Sequence, residues 1–130
     1  MTMNADCLAA RITCYGAPLR IDRVLRPLAG PGEVLVQVAA GGVNPVDWKV
    51  RDGLRKERMP LDLPVAAGCD IAGTVLETGE DVQGFACGQR VFAMVGLYGG
   101  FQQCLAVSAD KLAPVPAGLS LADAASVPLA

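Results

Sequence analysis

The residues of most chemical interest lie in one short segment, Val43-Asn44-Pro45-Val46-Asp47-Trp48-Lys49-Val50-Arg51-Asp52-Gly53. An ammonium such as that of Lys49, held in a cleft, stabilises negative charge developing on a carbonyl oxygen. Each polar residue there also has an ordinary role. Asn44 is a preferred helix N-cap, Pro45 suits the first helical position and Gly53 suits the stop. Asp47 falls in the first turn, where a carboxylate complements the helix dipole, and Lys49 is of a type almost always exposed. Further along, Tyr98 in the Gly96–Gly100 loop either lines a substrate pocket or covers the mouth of the fold. Cys69 and Asp70 follow Gly68 in a tight segment that reads as packing and turn hydrogen bonding, and Trp48 reads as core.

The elements that must position these residues are mostly strands. The expected strands are Leu8–Tyr15, Leu19–Leu25, Glu33–Ala40, Ala72–Thr78, Gln89–Val95 and Phe101–Val107, punctuated by glycine and proline. In the third, Val34, Val36 and Val38 share one face. A short helix follows from Asn44 to Gly53, and residues 54–64 read as loop. Ser120-Leu121-Ala122-Asp123 has capping-box spacing and opens an alanine-rich helical segment that runs to Ala130. Short strands with frequent turns predict a mainly β fold, a small barrel or sandwich.

Composition bounds the chemistry. The chain has 130 residues, 52 % hydrophobic with a further 15 glycines and only 18 % charged. It is one domain with a core of its own, and the shortage of charge predicts that part of its surface is covered by something else. There is no histidine, so every mechanism that needs an imidazole is excluded, and zinc would have to manage on Cys, Asp and Glu. Net charge is −2 and the densest basic cluster, Arg51 to Arg58, is mixed with Asp52 and Glu57, which argues against nucleic acid. The five cysteines, without a CxxC pair, read as reduced, buried small hydrophobes. Met1 to Gly16 lacks the features of a signal peptide and no segment suits a membrane span, so a cytoplasmic address without a membrane partner is expected. Neither GxGxxG nor GxxxxGK occurs, so the main cradle of any nucleotide cofactor must lie elsewhere.

From Gly32 to Asp47, GEVLVQVAAGGVNPVD, the chain resembles the N-terminal, GroES-like catalytic domain of the medium-chain dehydrogenase/reductase superfamily, in its zinc-free quinone oxidoreductase and enone reductase branch. The resemblance extends through VNPVDWKVRDG at 43–53, LPVAAGCDIAGTV at 63–75, GQRVFAM at 88–94, GGFQQCLAV at 99–107 and LAPVPAGLSLADAASVPLA at 112–130. It implies a GroES-like, partly open β-barrel with short helices over residues 1–118, and in 119–130 the start of a hinge helix leading to a Rossmann domain outside these 130 residues. That domain would be the chain's own partner, would hold most of an NADPH or NADH cofactor, and often forms a homodimer in relatives.

The implied reaction is hydride transfer to a quinone or an α,β-unsaturated carbonyl. Asn44 would lie beside the nicotinamide ribose and the acceptor carbonyl, Lys49 would contact cofactor or substrate, and Asp47 would orient Asn44 or Lys49. Zinc-dependent relatives place a Cys at the position of Asn44 and a His at that of Cys69, and many carry a proton-relaying hydroxyl at that of Val46. The resemblance therefore implies no metal. Many quinone reductases have a tyrosine a few residues after the helix, where this chain has Leu54 and Arg55. A zinc alcohol dehydrogenase relative and a non-catalytic GroES-like binding module are the alternatives, and a mere scaffold would not need the run at 43–49. On either enzymatic reading the chain alone is expected to be inactive.

Overall fold

The computed structural model describes residues 6–130. Met1–Ala5, part of the stretch read for a targeting signal, lie outside the described residues. The strands are β1 (Asp6–Ile12), β2 (Arg20–Leu25), β3 (Glu33–Gly42), β4 (Val65–Ala66), β5 (Asp70–Thr78), β6 (Arg90–Met94), β7 (Cys104–Ser108) and β8 (Ala113–Pro114). Two helices, α1 (Pro45–Arg51) and α2 (Leu121–Ala125), interrupt them. All pairings are antiparallel, in a three-stranded sheet ordered β2-β1-β4 and a five-stranded sheet ordered β7-β3-β5-β6-β8. The sheets meet where Ala9 bridges Gln102, with Ala10 N–H donating to the Phe101 carbonyl and Gln103 N–H to that of Leu8, both at 2.9 Å. The result is mainly β, with two open sheets, as the resemblance to a GroES-like, partly open barrel implies.

The core explains the strand order. Val34 and Val36 pack with Ile71, Val75, Val91 and Val107 on one face of the larger sheet. Leu35, on the opposite face, is also fully buried. A strand covered on both sides belongs in the middle, and β3 lies between β5 and β7. Each such side chain contributes about 1.5–3 kcal/mol by burial.

Several boundaries differ from expectation. The first strand stops at Ile12 rather than Tyr15, because the chain turns at Gly16, whose φ is +82°. β5 begins two residues early, at Asp70, and the last predicted strand starts at Cys104 rather than Phe101. Two-residue strands β4 and β8 are too short to leave a period of two. The alanine-rich segment does not stay helical to Ala130: α2 ends at Ala125, with Ser126 as its C-cap. Its buried Ala124 and Ala125 pack with Ala72, Ala40 and Phe92 on the larger sheet. Among the described residues no helix is long and apolar enough to cross a membrane.

Candidate active site

β3 ends at Gly42 and the chain enters α1 within three residues. Gly42 has to be glycine, since a Cβ there would collide with the Ala125 carbonyl and press on Cβ of Asp70. Asn44 is extended, with φ −127° and ψ 155°, as an N-cap should be. Its backbone N–H donates to Asp47 Oδ2 at 2.7 Å, and the Asp47 N–H donates to the Asn44 carbonyl at 2.9 Å. The side chain of Asn44 takes a different direction: Nδ2 donates to Asp70 Oδ2 at 2.9 Å.

Asp70 opens β5 and is wholly buried. Its Oδ2 also accepts the Leu129 N–H at 3.1 Å, whereas Oδ1 has no partner. Between the two acids lies Cys69, fully buried, donating to Asp47 Oδ1 at 3.2 Å. Burial, with the hydrogen bond to Asp47 next in importance, pushes its thiol up to about 12. Half-buried Asn44 and buried Asp47, Cys69 and Asp70 therefore form one polar network, in which neither carboxylate has an ion-pair partner among the described residues. Buried carboxylates are costly unless hydrogen-bonded, so each donor holds its partner in place.

Asn44 and Asp47 line a cleft of about 230 Å³ whose other walls include Leu19, Val43, Trp48 and Phe101. Lys49 does not share it. It lines a cavity of about 460 Å³ with the turn at residues 53–58, and its Nζ lies 5.8 Å from the centroid of the Trp48 ring. Tyr98 faces a third cavity of about 210 Å³, with Val95, Leu105 and Lys111 among its walls. The structure thus brings Asn44 and Asp47 together, and Asp47 contacts Asn44 rather than Lys49.

Trp48 is not core: it is 47 % exposed. The buried positions of α1 are Asp47 and Val50, three apart on one face, and position 48 lies about 100° round the helix. Nor are the cysteines uniformly buried, since Cys14 and Cys87 are exposed and Cys104 is half-buried. Asp70 is the residue whose part in the site the sequence reading missed. Its signal was a carboxylate directly before the apolar run Ile71-Ala72-Gly73, which in a core demands a partner.

Residues 30–117 match the alcohol dehydrogenase GroES-like domain family, and the chain belongs to that family, as an N-terminal domain of the medium-chain dehydrogenase/reductase type. It is 35 % identical over 116 residues to a chloroplastic quinone oxidoreductase of Triphysaria versicolor, covering 88 % of this chain and 35 % of that protein. A crystal structure of an alcohol dehydrogenase superfamily protein from Novosphingobium aromaticivorans aligns with TM-score 0.88 and 37 % identity, over 95 % of this chain and 38 % of that one. A cobalt- and zinc-bound thermostable alcohol dehydrogenase from Pyrobaculum aerophilum aligns with TM-score 0.85 and 26 % identity, over 95 % and 45 %. The chain spans about a third of the length of the curated relatives it matches.

Proposed function

We propose that this chain is the acceptor-binding domain of a zinc-independent, NAD(P)H-dependent oxidoreductase that reduces quinones or α,β-unsaturated carbonyls. The observation that carries the reading is the Asn44 amide, fixed by buried Asp70 at the polar edge of an apolar cleft. The amide nitrogen donates to Asp70 Oδ2, which leaves one N–H and Oδ1 for a ligand. Trp48 and Phe101 supply flat apolar walls for a quinoid ring or an enone.

The residues present fit one end of a nicotinamide cofactor. Asn44 would sit by the nicotinamide ribose and the acceptor oxygen, and Lys49, reaching over Trp48, would add positive potential at the rim. The sequence has no glycine-rich phosphate cradle, so a second domain must hold the rest of the dinucleotide. When bound, the cofactor supplies a hydride. Asn44 donates to the acceptor carbonyl oxygen as that oxygen gains charge, Asp47 and Asp70 keep Asn44 oriented, and the apolar walls exclude water, which strengthens the hydrogen bond. Solvent returns the final proton.

The donor set does not suit zinc. Asn44 is a weak zinc ligand whose amide nitrogen is engaged by Asp70. Cys69 is fully buried and its thiol already donates to Asp47 Oδ1 at 3.2 Å. Among the described residues no three His, Cys, Asp or Glu side chains gather closely enough to hold a metal. These points support the reading without zinc.

Residues 1–118 form the acceptor-binding unit on this reading, and 119–130 begin the hinge to the dinucleotide-binding domain. The test is NADPH and NADH oxidation by the protein carrying both domains, against a panel of quinones and enones, with zinc measured in the same preparation. Turnover without stoichiometric zinc is expected; turnover that vanishes on zinc removal and returns with zinc would overturn it.

A further inference from the structure

The turn that follows α1 builds a charged cavity distinct from the Asn44 cleft. Its walls carry Lys49, Arg55, Lys56 and Arg58 against the single carboxylate of Glu57, in a chain whose net charge is −2. Among the described residues none of these four cations forms an ion pair. Arg51, just before them, is tied to Asp52 at 2.9 Å. Four cations and one carboxylate round about 460 Å³ leave an excess of positive charge there.

The turn is also built to hold its shape. Gly53, with φ +79°, packs against the Tyr15 ring, and the Leu61 N–H donates to Tyr15 Oη at 3.1 Å. Met59 N–H donates to the Arg55 carbonyl at 2.8 Å. Two ammonium groups are steadied over aromatic rings: Lys56 Nζ lies 6.0 Å from the Tyr15 centroid and Lys49 Nζ 5.8 Å from that of Trp48.

The geometry points to an anion site in this cavity that takes the phosphate group of a small phosphate ester. Two guanidinium forks and two ammonium groups match an anion with several oxygens and more than one charge, whereas a carboxylate would satisfy one fork and leave the remaining cations unpaired. The site shares Lys49 with the reductase reading but does not rest on it, because binding is read on this chain without turnover.

The experiment is amide NMR of the 130-residue protein titrated with pyrophosphate at constant ionic strength, beside acetate, butyl phosphate and adenosine 2′,5′-bisphosphate. Saturable shifts at residues 53–58 are expected, with a dissociation constant at least about tenfold lower for pyrophosphate than for acetate. The triple variant R55Q/K56Q/R58Q should lose about tenfold or more in pyrophosphate affinity while shifts elsewhere stay native. The single variant Arg58→Gln, at an exposed position, gives the same reading with a smaller loss should the triple variant not fold. Tighter binding of the bisphosphate than of butyl phosphate would assign the site to a cofactor's phosphates, and equal or tighter butyl phosphate to a substrate's. Shifts that do not saturate below about 10 mM, match those with acetate, or persist unchanged in the variants would overturn the site.

Discussion

Asn44 does two jobs with two parts of itself: its backbone N–H is capped by Asp47 and its side chain is aimed by Asp70. Asn44→Ala should therefore lower kcat/KM of the two-domain protein by about tenfold or more, roughly 1.4 kcal/mol of transition-state stabilisation. Lys49→Ala, altering a different cavity, should raise KM more than it lowers kcat. Steady-state kinetics of the two variants separate these roles. Cys69 gives a pH prediction. Its thiol is raised from the ordinary 9.0 to about 12, chiefly by burial. The unfolded chain then gives up the proton first, so this contribution to stability is fully present below about pH 9 and is lost as pH rises toward 12. Cys69→Ala should flatten the fall in stability over that window, measured by urea denaturation at a series of pH values. At pH 8, alkylation should mark exposed Cys14 and Cys87 and spare Cys69. At this scale Asn44 and Asp47 were legible because capping chemistry is local. Asp70 was not, since its partners, Asn44 and the Leu129 amide, lie 26 and 59 positions away.

Among the elements, the meeting of β3, α1 and α2 positions the site. Gly42 lies against the Ala125 carbonyl, so Gly42→Ala must push α2 off the sheet. About 1–3 kcal/mol of destabilisation is expected by analogy with other overpacked sites, read as a lower urea midpoint, with loss of exchange protection at Leu129. Removing the α2 cap by Ser120→Ala deletes the hydroxyl that accepts the Asp123 N–H at 3.0 Å and should cost about 1 kcal/mol. Strand β3 was legible from its alternating valines, and α1 from its Asn-Pro start and Gly53 stop. Strands β4 and β8 exist only because a neighbour pairs with them, and exposed Trp48 follows from which face of α1 meets the core. Neither is written in local period.

Over the whole molecule, apolar residues remain at the surface beside the site. Val43 is 82 % exposed, and Leu19, Trp48, Val127 and Leu129 are also exposed. Such a face asks for a cover, and on the proposed reading a dinucleotide-binding domain provides it. The 130-residue chain by itself should therefore show no NADPH turnover above background, whereas the protein with both domains should. The decisive measurement is that comparison, with Asn44→Ala of the two-domain protein beside it. Quinone- or enone-dependent NAD(P)H oxidation by the two-domain protein is expected, cut about tenfold or more by the substitution. Full activity in the Asn44→Ala protein would contradict it.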